Sequence, residues 1–149
     1  MKRKGLVTLI KNMHVEINDN TRLFELQQVF SQFYPYLQIE FYRKPHKKYE
    51  GSEEKDLIDP QTTVGEIIKT HVSGILQIQP LDHVADVERK IQTRFGISVQ
   101  IFKKENKGWE QTTGMDDFTL KDLNEIGRNS SDEFIIEDYE EGIEEGEIP

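Results

Sequence analysis

Cysteine is absent from this chain of 149 residues, which excludes disulfides, thiolate zinc sites, iron–sulfur clusters and cysteine nucleophiles. Stability therefore has to come from packing. Proline (5) and tryptophan (1) are scarce, and no Pro/Gly/Ser-rich stretch divides the chain, so no flexible internal linker is expected. Long apolar runs are missing too. The stretch from Leu6 to Ile10 follows a basic start, as the core of a signal peptide does, but Lys11 and Asn12 cut it short. It reads as a strand rather than a leader or a membrane span. The resulting expectation is a cytoplasmic chain with no membrane contact.

What is present is 35% hydrophobic and 32% charged residues, enough for a modest core in one ordinary domain or in two small units packed together. The net charge of −9 is placed unevenly. From Asp132 onward there are nine carboxylates and no Lys or Arg; removing those nine from the 28 acids leaves 19 against 19 basic residues in the body. The body is formally neutral, and the acidity belongs to the C-terminal end.

A basic loop stands out against this background. "FYRKPHKKYEG", residues 41–51, lies over "IFKKENKGWEQ", residues 101–111, at a constant spacing of 60. Arg43 falls over Lys103, Lys44 over Lys104, Lys47 over Lys107 and Tyr49 over Trp109. Upstream, at a spacing of 61, Leu23, Leu26 and Phe30 fall over Val84, Val87 and Ile91, and Val15 and Ile17 over Leu76 and Ile78. Downstream "TTVGEI" matches "FTLKDL" at a spacing of 56. The order of parts is the same in both halves, which points to an internal repeat.

Each part has a local reading. Thr21 and Asp82 precede apolar-periodic runs and are expected to cap helices over residues 21–34 and 82–95. "LQIEFYR" and "ISVQIFK" alternate, with Leu37, Ile39, Phe41 and Ile97, Val99, Ile101 on one face, the pattern of a half-buried strand. The polar loops then turn the chain into short partner strands starting at Tyr49 and Trp109, giving one hairpin per half. Thr63 and Thr119 are expected to cap short second helices. "SGILQIQ" and "SDEFIIED", with Ile75, Leu76 and Ile78 set against Phe134, Ile135 and Ile136, read as closing strands. The expected fold is α+β, a tandem duplication of a β-α-β-β-α-β unit with mixed sheets joined by parallel crossovers. Its units would be residues 1–72 and 73–138, followed by an unstructured acidic tail over 139–149.

The second half, through Phe95, Gly96, Ile97, Val99, Ile101, Asp116, Asp117, Thr119 and Leu120, resembles small bacterial proteins that are common near mobile elements. That resemblance implies a fold and no particular activity.

Signatures of catalysis are missing. His14, His46, His71 and His83 sit in different elements without metal-ligand spacing, so no metal is expected. No phosphate-binding, dinucleotide-binding or nucleophile-elbow motif occurs, and "MDDF" is better explained by helix capping than by acid–base work. No catalytic residue and no cofactor is expected. Nucleic-acid contact is a sharper alternative, through Arg43, Lys44, Lys47, Lys48, Tyr49, Lys103, Lys104, Lys107 and Trp109, whose cations and rings suit phosphates and bases. Against it, lysines at a hairpin tip also block edge pairing, and the acidic balance is opposite to the usual signature. The tail, through Tyr139, Glu140, Glu141, Ile143, Glu144 and Glu145, reads as a solubilising end, as a motif for a basic groove, or as a segment that folds back on the hairpin tips and autoinhibits nucleic-acid contact by competing with the anionic ligand. The expectation is a non-enzymatic binding or regulatory protein that contacts a protein partner or itself. An enzyme with a cleft between the repeats is a third alternative.

Overall fold

The computed structural model describes residues 12–44, 51–68, 70 and 72–130. In chain order the elements are β1 (Met13–Asn18), α1 (Leu23–Phe33), β2 (Leu37–Tyr42), a 3-10 turn (Glu54–Asp56), α2 (Val64–Ile67), β3 (Ser73–Ile78), α3 (Val84–Phe95), β4 (Ser98–Glu105), β5 (Gly108–Gln111) and α4 (Leu120–Asn129). The fold is α+β. The expected strand at 6–10, the residues 45–50 of the first hairpin, the closing strand at 134–136 and the tail lie outside the described residues.

Apolar spacing decides which helical faces are buried. Leu23, Leu26 and Phe30 of α1, and Val84, Val87, Ile91 and Phe95 of α3, recur at three- and four-residue steps and face inward. The helix starts differ from expectation. Arg22 and His83 are the cap residues, while Thr21 Oγ1 and Asp82 Oδ2 accept the backbone N–H groups of Asn18 and Gln79, at 2.9 Å each. The reason is tertiary, because the free amides at these helix starts already have partners. Leu23 and Phe24 donate to the carbonyls of Thr62 and Pro60, and Val84 and Ala85 to those of Phe118 and Asp116. In return Val64 donates to Thr21, and Leu120 to Asp82. Thr63 and Thr119 do cap α2 and α4, accepting from Glu66 N and Asp122 N.

The described strands do not form the expected mixed sheets. All ladders among the described residues are antiparallel: β1 with β3, and β2–β4–β5. A parallel crossover would need β1 and β2 in one sheet, but α1 delivers the chain from the first sheet to the second. Each described strand of the first half, β1 and β2, therefore pairs with a strand of the second. The second hairpin forms as expected, with Glu105 opposite Gly108 around Asn106 and Lys107. On the first half's side, the described return toward β2 is a single bridge, Tyr42 to Leu57, flanked by Arg43 N donating to Asp56 O and Ile58 N to Phe41 O.

One continuous core joins both halves, running from Met13, Leu23, Phe30, Leu37, Ile39 and Phe41 to Leu76, Ile91, Ile101 and Leu123. Full burial of such side chains is worth about 1.5–3 kcal/mol each. Ile75, on the opposite face of β3 from Leu76, is 51% exposed.

Candidate functional site

The basic residues lie at both ends of the larger sheet. Because β2 and β4 are antiparallel, Leu37 stands opposite Lys103 and Tyr42 opposite Ser98. Lys103 and Lys104 are thus at one end of β2, and Arg43 and Lys44 at the other, roughly 20 Å away along a six-residue strand. The structure does not bring the two groups together. Lys47, Lys48 and Tyr49, and the tail residues Tyr139, Glu140, Glu141, Ile143, Glu144 and Glu145, lie outside the described residues.

Alternation along β4 separates its two lysines. Val99, Ile101 and Lys103 share the core face, so Lys103 is 4% exposed, and its ammonium is held by Glu105 and by Glu110. Its charge is satisfied internally. Lys104 is on the opposite face, across from Trp109, with Nζ 5.3 Å from the centre of the indole ring. Trp109 is 41% exposed, and Lys107 is exposed in the loop. Arg43 and Lys44 are exposed; the Arg43 guanidinium makes one long bond, 3.4 Å, to Leu57 O.

A second feature was not read from the sequence: the two edges of the smaller sheet differ. Arg94 donates to Ile75 O and Lys90 to Gln77 O, each at 2.7 Å, so these carbonyls point away from β1. Gly74 leaves room for the Arg94 head, since a Cβ there would stand 2.9 Å from its Nη2. In an antiparallel ladder, residues opposite outward-facing ones also face outward. Glu16 is opposite Ile75 and His14 opposite Gln77, so the N–H and C=O groups of His14 and Glu16 line the edge of β1 that faces away from β3. Among the described residues no hydrogen bond reaches them. At a spacing of 61, Lys90 and Arg94 fall over Val29 and Phe33, which carry no polar atom to offer a carbonyl. That substitution in the helix alignment was the available signal.

The halves also differ beside α2 and α4. Helix α4 runs ten residues; its Asn124 Oδ1 accepts the Tyr36 N–H at 2.8 Å, and Gly127 leaves no room for a side chain between the helix and Tyr36, with the Lys103 stem alongside. Helix α2 stops after four residues. Where Ile97 and Arg43 take the places of Tyr36 and Lys103, a cleft of about 330 Å³ is left, lined also by Tyr42, Ile58, Thr62 and Glu66.

Burial is the main influence on Glu40, Tyr42 and Tyr34. It pushes the Glu40 carboxyl above its usual range, partly offset by bonds from Gln27 and Gln38. It pushes the Tyr42 hydroxyl up to about 12, helped by the charges of Glu40 and Glu54. Tyr34 is raised for the same reason, and its hydroxyl is buried without a partner. Asp86 is lowered, chiefly by the His83 backbone N–H. Among the described residues no group of three His, Asp or Glu side chains is placed to hold a metal, and no helix is long and apolar enough to cross a membrane. No family model, curated protein or solved structure matches the chain.

Proposed function

We propose that the chain is a tandem duplication of one α+β unit and works as a non-enzymatic protein-binding module. A partner segment adds as a strand along the edge of β1 that faces away from β3 and has no cover among the described residues. The duplication is supported by hydrogen bonds that recur at the spacings aligning the two halves: Leu23 N to Thr62 O and Val84 N to Phe118 O, or Gly65 N to Asp19 O and Lys121 N to Pro80 O. The binding reading is carried by one observation. Of two strand edges in equivalent positions, β3 has its outward carbonyls held by Lys90 and Arg94, and β1 has no such cover among the described residues. Natural sheets block edges that are not for use, and an open edge offers main-chain bonds to an extended segment.

The nucleic-acid reading draws support from exposed Trp109 with Lys104 stacked on it. Against it stand the internal pairing of Lys103 and the placement of the two basic groups at opposite ends of the sheet.

Two measurements test the function. DNA and RNA titrated at two salt concentrations, against the full chain and a chain ended after Ser131, should show no binding; binding with a steep salt slope would replace this reading with the nucleic-acid one. Affinity capture with a tagged full chain, with an untagged copy of the chain among the proteins offered, should retain a protein that Glu16→Pro loses and Lys104→Ala keeps. Capture indifferent to Glu16→Pro sinks the β1 reading.

A further inference from the structure

We infer that the segment added to β1 is β1 of a second copy of this chain, paired antiparallel about a two-fold axis through Val15. The inference rests on the strand-addition reading above and names its occupant.

The geometry of the edge selects this pairing. The outward-facing backbone groups are those of His14 and Glu16, one on either side of Val15. In a two-fold antiparallel pair centred on Val15, His14 of each copy faces Glu16 of the other, and each such pair exchanges both of its backbone bonds. All the open groups of both residues are then satisfied. The side chains agree: both are exposed on the outer face of the sheet, so each imidazole can donate to the carboxylate across the axis, an opposite-type cross-strand pair. The neighbouring registers fare worse. Centring on Glu16 sets two carboxylates against each other, and centring on His14 leaves Glu16 facing Asn12 at the end of the strand. On the inner face the two half-buried Val15 side chains meet. The surface is self-complementary, as a two-fold interface must be, and the product is a four-stranded antiparallel sheet, β3–β1–β1–β3, whose outer edges are both held by Lys90 and Arg94. That closure ends strand addition within this sheet at two copies.

Sedimentation of the full chain over a range of loading concentrations is the primary measurement. The wild type is expected to run as a reversible dimer. Glu16→Pro removes an N–H that points away from β3, a substitution that edge strands accept, and it should weaken the dimer by about ten-fold or more. Register is tested by a thiol in this cysteine-free chain. Val15→Cys places two thiols across the axis at about 4.5 Å between Cα atoms, within disulfide reach, and should oxidise to a covalent dimer. Asn18→Cys, about 20 Å from its mate in this register, should not. A dimer that persists in Glu16→Pro, or that cross-links through Asn18→Cys and not Val15→Cys, overturns the inference. If the wild type is monomeric, amide exchange at His14 and Glu16 separates the remaining cases. Fast exchange overturns self-pairing and leaves the edge open to another protein; slow exchange means the chain covers its own edge and overturns both readings.

Discussion

Val15 lies directly opposite Leu76 in the β1–β3 ladder, and the two residues are 61 apart, the spacing that superposes the helices of the two halves. The larger sheet repeats the relationship, since Glu40 stands opposite Gln100, 60 residues on. Among the described residues β1 thus pairs with β3 and β2 with β4 at nearly the same sequence spacing, so the two halves interleave rather than sit side by side.

Interleaving has a direct consequence for truncation. A chain ending at residue 72 keeps β1 and β2 but loses β3 and β4, the partners of both. It should show no cooperative thermal transition by circular dichroism. A sharp melt comparable to that of the full chain would show that one half folds alone.

Glu40 offers a pH-dependent test. Its pKa is raised in the folded protein, chiefly by burial, so ionisation opposes folding. The cost is absent below the unfolded value, about 4.3, grows as pH rises toward the folded value, and is complete above it. Glu40→Gln, which keeps an acceptor for Gln27 and matches Gln100 across the ladder, should raise Tm modestly at pH 7. The gain should vanish near pH 3. An equal gain at both pH values would contradict the assignment to ionisation.

Lys103 separates the worth of a stem from that of a charge. Glu105 and Glu110 retain 36% and 62% of their side-chain exposure, so water can solvate them when the ammonium is lost. Lys103→Met is therefore expected to stay within about 1 kcal/mol of wild type. Lys103→Ala, which also empties the space beside Gly127, should lose about 1–3 kcal/mol. Equal losses in denaturant melts would place the stabilisation in the ion pairs instead.

Gly127 is held to its residue type by a backbone. A Cβ there would lie 2.8 Å from Tyr36 O and 3.0 Å from Tyr36 Cβ, so Gly127→Ala should destabilise by roughly 1–3 kcal/mol of overpacking. The helix preference of alanine returns about 1 kcal/mol. A net gain in stability would mean that α4 can shift away from Tyr36.

The protection of β3 can be removed. Lys90→Ala with Arg94→Ala exposes the carbonyls of Gln77 and Ile75, and light scattering should report association beyond the wild-type state at high concentration. Unchanged scattering would show that those bonds do not guard the edge.

Local features of the fold were legible. The buried faces of α1 and α3, the inward Leu37, Ile39, Phe41, Val99 and Ile101, the caps at Thr63 and Thr119 and the second hairpin all follow from side-chain period and capping chemistry, which act within a few residues. The caps at Thr21 and Asp82 were misplaced by one residue, because carbonyls some 30 to 40 residues away already serve those helix starts. The burial of Lys103 was legible in principle: it is two residues beyond Ile101 on the same face, and its hairpin neighbours Glu105 and Glu110 bring the balancing charge.

The sequence by itself determined the local elements, their buried faces and the parallel order of parts in the two halves, because period and capping are short-range. Only the tertiary structure decided that strands pair across the halves and antiparallel, since alternation tells which face is buried and not which strand lies alongside. The same pairing decided which strand edge the proposed binding would use. Whether Val29 or Lys90 stands beside a strand edge matters only once that edge exists, and it is the β1–β3 ladder that turns His14 and Glu16 outward.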